Sequence, residues 1–181
     1  MGNDVPLQEF SKIARLNREC IVTEKIDGTN GVVHVSADGV VRAGSRSRWI
    51  TPDNDNFGFA KWVHANADEL RALGEGYHYG EWWGAGIQRR YGLDHKRWSL
   101  FNVHRWGETR PACCGVVPVL ARGLDIRAAT EEGLSILRAS GSIAAPGFAQ
   151  PEGVVIFHAH SKTLFKVTLE KDSEHKGAAR G

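Results

Sequence analysis

Between Cys20 and Ala43 the chain alternates short apolar, β-branched runs with aspartate–glycine pairs. Cys20 to Ile26 leads into a turn at Asp27-Gly28, and Gly31 to Ser36 is reversed by Ala37-Asp38-Gly39 into Val40 to Ala43. Glycine accepts the positive φ that a tight reversal needs, so Asp-Gly between two Val-rich runs predicts an antiparallel hairpin. A chain that opens in this way must build its core around a sheet, and later helices must cover that sheet.

The rest of the sequence supplies both kinds of element. Phe59, Trp62, Val63, Leu70 and Leu73 fall on one face of a helix over residues 57–73, with N-caps available at 53–56 and Gly74 as a stop. Tyr77 to Trp83 and Arg97 to Val103 read as strands, and Trp82 and Trp83 should face opposite sides, at least one into the core. Val116 to Leu120 is interrupted by Pro118 and suits an edge strand or an extended passage. A helix is expected over Thr130 to Ser140, with Thr130 as N-cap and Gly141 past its end. Gly153 to His158 and Thr163 to Leu169 form a final hairpin, and the polar stretch 173–181 is expected to fray. Hairpins around two helices give an α+β domain with two mostly antiparallel sheets, and 181 residues suit a single domain.

Several function classes are disfavoured early. The net charge is only +2, so bulk charge selects no partner, although Arg42, Arg46 and Arg48, and then Arg89, Arg90, Lys96 and Arg97, cluster locally. Such clusters hold phosphates or form a solvated face. Three cysteines, two of them adjacent, do not make a disulfide framework, and no Cys-x-x-Cys or histidine spacing suits zinc. Neither a signal sequence nor a membrane-length apolar run is present, and a cytoplasmic protein with no membrane partner is expected.

The chemistry concentrates in Glu24-Lys25-Ile26-Asp27-Gly28-Thr29-Asn30. A lysine at a strand end, aimed into a pocket, is a candidate nucleophile, because desolvation or nearby cations favour its neutral form. Free lysine has a pKa of about 10.4, so only about one in a thousand is neutral near pH 7.4. The bland alternative is a surface lysine before a turn.

Five further segments follow in order: Ser45-Arg46-Ser47-Arg48 with Asp55-Asn56-Phe57, Gly80-Glu81 with Gly84-Ala85-Gly86-Ile87-Gln88, Phe101-Asn102-Val103, Glu152-Gly153-Val154-Val155, and Leu164-Phe165-Lys166-Val167. Together with the lysine motif this series resembles the nucleotidyltransferase domain of nick-sealing RNA ligases of the RNA ligase 2 type, members of the covalent nucleotidyltransferases. The likeness covers residues 20–172.

The resemblance implies an ATP-grasp-like nucleotidyltransferase domain, two sheets with flanking helices around a nucleotide groove. It implies an ATP-dependent RNA ligase in which Lys25 is adenylylated, AMP passes to a 5′-phosphate, and a 3′-hydroxyl displaces it. Required with ATP would be Mg²⁺ or Mn²⁺, held by Glu152, because hard cations prefer carboxylate oxygens. Arg46 and Lys166 would neutralise phosphate charge, with Arg48 competing for the first role. Glu81 would accept hydrogen bonds from the ribose hydroxyls and Phe101 would stack on the purine. Glu24, Ile26 and Asn30 would line the nucleotide pocket.

Two departures from the family pattern lie in the site: Thr168 stands where a second lysine is usual, and Asn102 where an aspartate is usual. The family also usually appends a domain that grips nucleic acid, for which no room is expected after Leu169. Substrate would then be gripped by the catalytic domain alone or with a protein partner, on RNA ends or nicked duplex, with DNA as the alternative. The rival readings are an ATP-dependent DNA ligase, a GTP-dependent capping enzyme, and a catalytically reduced nucleotide- or RNA-binding module.

Overall fold

The computed structural model describes residues 6–170; the stretch 173–181 expected to fray lies outside them. The first strands are Cys20–Lys25 (β1), Thr29–Val35 (β2), Val41–Gly44 (β3) and Trp49–Ile50 (β4). Helices Phe59–Ala65 (α1) and Ala67–Leu70 (α2) and a 3-10 turn, Arg71–Leu73, precede Gly76–Gly84 (β5), Lys96–Leu100 (β6), Gly115–Val116 (β7) and Val119–Gly123 (β8). Ile126–Ser140 (α3), Gly153–His158 (β9) and Thr163–Thr168 (β10) complete the described chain.

These elements form the expected α+β arrangement with two sheets. One has the order β10-β9-β1-β8 and the other β4-β3-β2-β5-β6-β7. Every pairing is antiparallel except that of β6 with β7. Each sheet has its own core. Val22, Val154 and Ile156 pack with Leu134 and Leu137 of α3, while Val33, Trp82, Trp98 and Leu100 pack with Phe59 and Val63 of α1.

The chain crosses between the sheets at the lysine motif. β1 ends the first sheet's strand at Lys25, and β2 begins in the second sheet at Thr29. Gly28 makes that crossing, because a Cβ there would lie 2.5 Å from the Trp82 carbonyl oxygen and 2.8 Å from Trp83 Cβ. A second crossing runs through Pro118, between the edge strands β7 and β8, so the proline breaks a run that serves two sheets.

Two helices differ from expectation. The helix expected over 57–73 is broken at Asn66, which sits at φ −109°, between α1 and α2. Asp55 nevertheless serves its start, accepting from the Ala60 and Lys61 amides. α3 begins four residues before Thr130, capped by Asp125, whose Oδ1 accepts from the Arg127 and Ala128 amides. Thr130 donates its hydroxyl back to the Ile126 carbonyl, so it lies inside the first turns. Both Trp82 and Trp83 are buried, on opposite faces of β5, so neither is free to meet a sugar or a base.

Candidate active site

Strand alternation fixes which motif residues point where. Cys20 and Val22 face α3, so Glu24 does too, and Lys25 points to the opposite face of the sheet. The ladder extends that face sideways. Lys25 stands opposite Gly153, which stands opposite Thr168, and Thr23 stands opposite Val155, which stands opposite Lys166. Lys25, Lys166 and Thr168 therefore share one surface. Gly153 leaves no space for a side chain in that row, since a Cβ would lie 2.2 Å from the Val167 carbonyl oxygen.

Glu152 enters from the residue before β9. Its Oε2 lies 2.5 Å from Lys25 Nζ, with the two side chains 18% and 22% exposed. Beyond that ammonium the oxygen has no hydrogen-bond partner among the described residues. A buried carboxylate oxygen with a single contact retains capacity for another cation, which suits the role expected of Glu152. No cluster of three or more His, Cys, Asp or Glu side chains is placed to hold a metal among the described residues. A metal here would depend on substrate phosphates for most of its ligands, the usual manner of Mg²⁺.

Glu81 faces the same space from the other sheet, on β5. Its Oε1 accepts from the Gly28 amide at 3.1 Å and its Oε2 from Asn30 Nδ2 at 3.2 Å. Burial pushes its pKa up from 4.5 to about 7 despite the opposing field of Lys25, and the charges of Glu152 and Asp27 push the same way as burial. A carboxyl with a raised folded-state pKa binds more protons folded than unfolded between pH 4.5 and 7, so stability falls as pH rises through that window. The size is on the order of 3 kcal/mol. Glu81→Gln is expected to flatten this part of the profile, so that the variant gains on wild type from pH 4.5 to 8 in denaturant midpoints. Parallel profiles would disprove the assignment.

Glu24 does something other than line the nucleotide site with its side chain. It is 1% exposed, and its carboxylate accepts from Ser142 Oγ, the Ile143 amide at 2.9 Å and the Ala144 amide at 2.8 Å. It ties β1 to the loop that follows α3. Ile26 is buried with Trp83, Tyr91 and Val117. Both residues hold the strand that carries Lys25 in place. Asn30 does reach the groove side, through Glu81.

Phe101 follows β6 and is 40% exposed, so it is not plain core; its amide donates to the Tyr79 carbonyl. Lys166 is exposed. Arg46 and Arg48 are exposed in the β3–β4 loop, which the register of Gly44 opposite Val32 places towards the start of β2. None of these three cations is in an ion pair among the described residues. Among the described residues neither arginine's side chain is in a hydrogen bond or ion pair that would select between the two. The departures have local roles: Thr168 donates its hydroxyl to the Glu170 carbonyl, and Asn102 Oδ1 accepts from the Arg105 amide.

Sequence reasoning missed the residues that hold the crossing itself. Asp27 Oδ2 receives Arg89 Nε at 3.1 Å, and Arg89 also donates to the Gln150 carbonyl, two residues before Glu152. The Asp27 amide donates to the Tyr91 hydroxyl at 2.7 Å. Arg89 thus braces the segment after Lys25 against the segment that delivers Glu152. Its neighbours in the second basic cluster are also engaged: Lys96 donates to the Phe57 carbonyl, and the Arg97 guanidinium lies over the Trp83 ring. That cluster is largely internal bracing.

The arrangement is a strand-end lysine with a carboxylate at its amine, a second buried carboxylate across from it and, at the rim, cations outside any ion pair among the described residues. The RNA ligase family profile matches residues 18–168. The chain belongs to the RNA ligase family. Solved structures agree on the fold. A glutamate-to-alanine mutant of the Naegleria gruberi RNA ligase with ATP and Mn superposes with a TM-score of 0.62 at 20% identity, covering 89% of this chain and 53% of that one. A lysine-to-methionine mutant of the same ligase with AMP and Mn gives 0.58 at 18% identity, covering 84% and 50%. This RNA ligase family member thus spans about half the length of those chains. No match is found among curated proteins. No helix of the described residues is long and apolar enough to cross a membrane.

Proposed function

We propose that this chain carries the adenylylating site of an ATP-dependent RNA ligase, and the observation that supports it most is the Lys25–Glu152 pair at the junction of the two sheets. Lys25 Nζ, once deprotonated, attacks the α-phosphorus of ATP. A phosphorus–nitrogen bond forms, the bond to the bridging oxygen breaks, and pyrophosphate leaves. AMP then passes to a 5′-phosphate, and a 3′-hydroxyl displaces AMP to close the phosphodiester.

The chain's own residues position these groups. Glu81 and Asn30, already hydrogen-bonded to one another, present oxygens and an amide to the ribose. Phe101 offers an exposed ring to the purine. Lys166, on the Lys25 face two residues along the ladder, and Arg46 from the β3–β4 loop supply positive charge to the phosphates. Thr168 contributes no charge in the row of Lys25, so Lys166 carries more of that task. A divalent cation, Mg²⁺ or Mn²⁺, would be held by Glu152 together with phosphate oxygens and would neutralise their charge.

The test uses the protein with α-labelled ATP and Mg²⁺ or Mn²⁺, followed by a denaturing gel. Label retained on wild type, and sealing of 5′-phosphorylated RNA into a phosphatase-resistant product, are expected. ATP bound by the folded protein with no covalent label would instead favour a nucleotide-binding module. Label with sealing only of DNA would favour the DNA ligase reading.

A further inference from the structure

The strand that carries Glu81 continues outward with aromatic side chains where a solvent-facing sheet ordinarily carries polar ones. Tyr79 and Tyr77 lie two and four residues before Glu81 on the same face of β5, and they are 54% and 56% exposed. Trp49, 49% exposed, joins them from β4. The rings are close to parallel: Tyr77 and Tyr79 at 6.3 Å and 15°, Trp49 and Tyr77 at 6.2 Å and 28°. His34 is set between them, 4.4 Å from Tyr77 and 6.0 Å from Trp49. Three large exposed aromatics in one row form a surface that needs an occupant.

Charge identifies the occupant. Arg42 stands directly across the ladder from His34, on the same face, and Arg48 immediately precedes Trp49. Neither is in an ion pair among the described residues. Aromatic faces interleaved with free guanidinium groups match bases alternating with phosphates, and stacking tolerates any base sequence. The row is also continuous with the nucleotide site, since the Phe101 amide donates to the Tyr79 carbonyl.

We infer that Trp49, Tyr77 and Tyr79, flanked by Arg42, form a stacking platform for an unpaired polynucleotide strand leading to the adenylylation site. That the strand is RNA rests on the end-joining reading above. Bases in a duplex are already stacked on each other and cannot use such a platform, so preference for unpaired strands is its signature.

The test is fluorescence anisotropy with a short unstructured oligoribonucleotide and the same sequence fully paired, with ATP self-labelling measured in parallel. Trp49→Ala with Tyr77→Ala is expected to weaken binding of the unpaired strand by about tenfold or more, leave binding of the duplex nearly unchanged, and leave self-labelling unchanged. Trp49→Phe with Tyr77→Phe keeps the rings and should keep the affinity, which guards against misfolding in the alanine variant. Arg42→Gln should lower the salt dependence of binding by about one phosphate contact. Equal affinity of wild type and the alanine variant for the unpaired strand would overturn the platform. So would a self-association of wild type that the alanine variant loses, because a second copy would then be the occupant. The two readings fail separately: aromatic-dependent strand binding without self-labelling would keep the platform and sink the ligase reading, and self-labelling without strand binding would do the reverse.

Discussion

Lys25→Ala is expected to lose covalent labelling by ATP by about a thousandfold or more, to below detection on a gel, while ATP still binds. Lys25→Arg should fail equally, since a guanidinium restores the charge beside Glu152 but offers no neutral nitrogen to attack phosphorus. The pair of variants therefore separates nucleophile from cation. If Lys25→Arg kept a substantial fraction of the label, Lys25 would be a phosphate-binding cation and the nucleophile would lie elsewhere. A pre-adenylylated RNA end supplies the activated phosphate already, so both variants should still join such an end to a 3′-hydroxyl. That arm shows that the variants retain a working fold.

Stability needs its own control here. Removing the ammonium leaves Glu152 Oε2 buried without a partner, at a cost of about 1 to 3 kcal/mol. Lys25→Ala should accordingly melt below wild type, and Lys25→Arg should lie between the two. Labelling assays therefore belong well below the melting range of the alanine variant.

Lys25 and Glu152 were legible because each sits in a short motif whose residue types match one chemistry, and the ladder then brings them together across β1 and β9. Strands were legible where turn residues flank them, as Asp38-Gly39 does between β2 and β3. The start of α3 was misplaced because Thr130 is an acceptable cap by type; Asp125 held the same signal five residues earlier, and its cap bonds decide the matter. Glu24 shows a deeper limit. The family resemblance implied that Glu24 lines the nucleotide pocket, but adjacent strand residues face opposite ways, and its side chain serves a loop 118 to 120 residues away. Arg89 was visible only as part of a basic cluster, and its pairing with Asp27 depends on a crossing between sheets that no local pattern encodes.

Glu152→Gln removes two interactions of different size. The first is the ion pair with Lys25. The pair is partly exposed, and such a pair contributes about 1 kcal/mol once screened. The second is the proposed hold of Glu152 on a divalent cation, and neutralising phosphate charge is worth several kcal/mol. The larger effect wins, and labelling is expected to fall by about a hundredfold or more, with the metal concentration needed for half-maximal rate rising. The smaller effect should appear only as a modest loss of stability. A Glu152→Gln protein that labels as fast as wild type at the same metal concentration would show that Glu152 is only the counterion of Lys25.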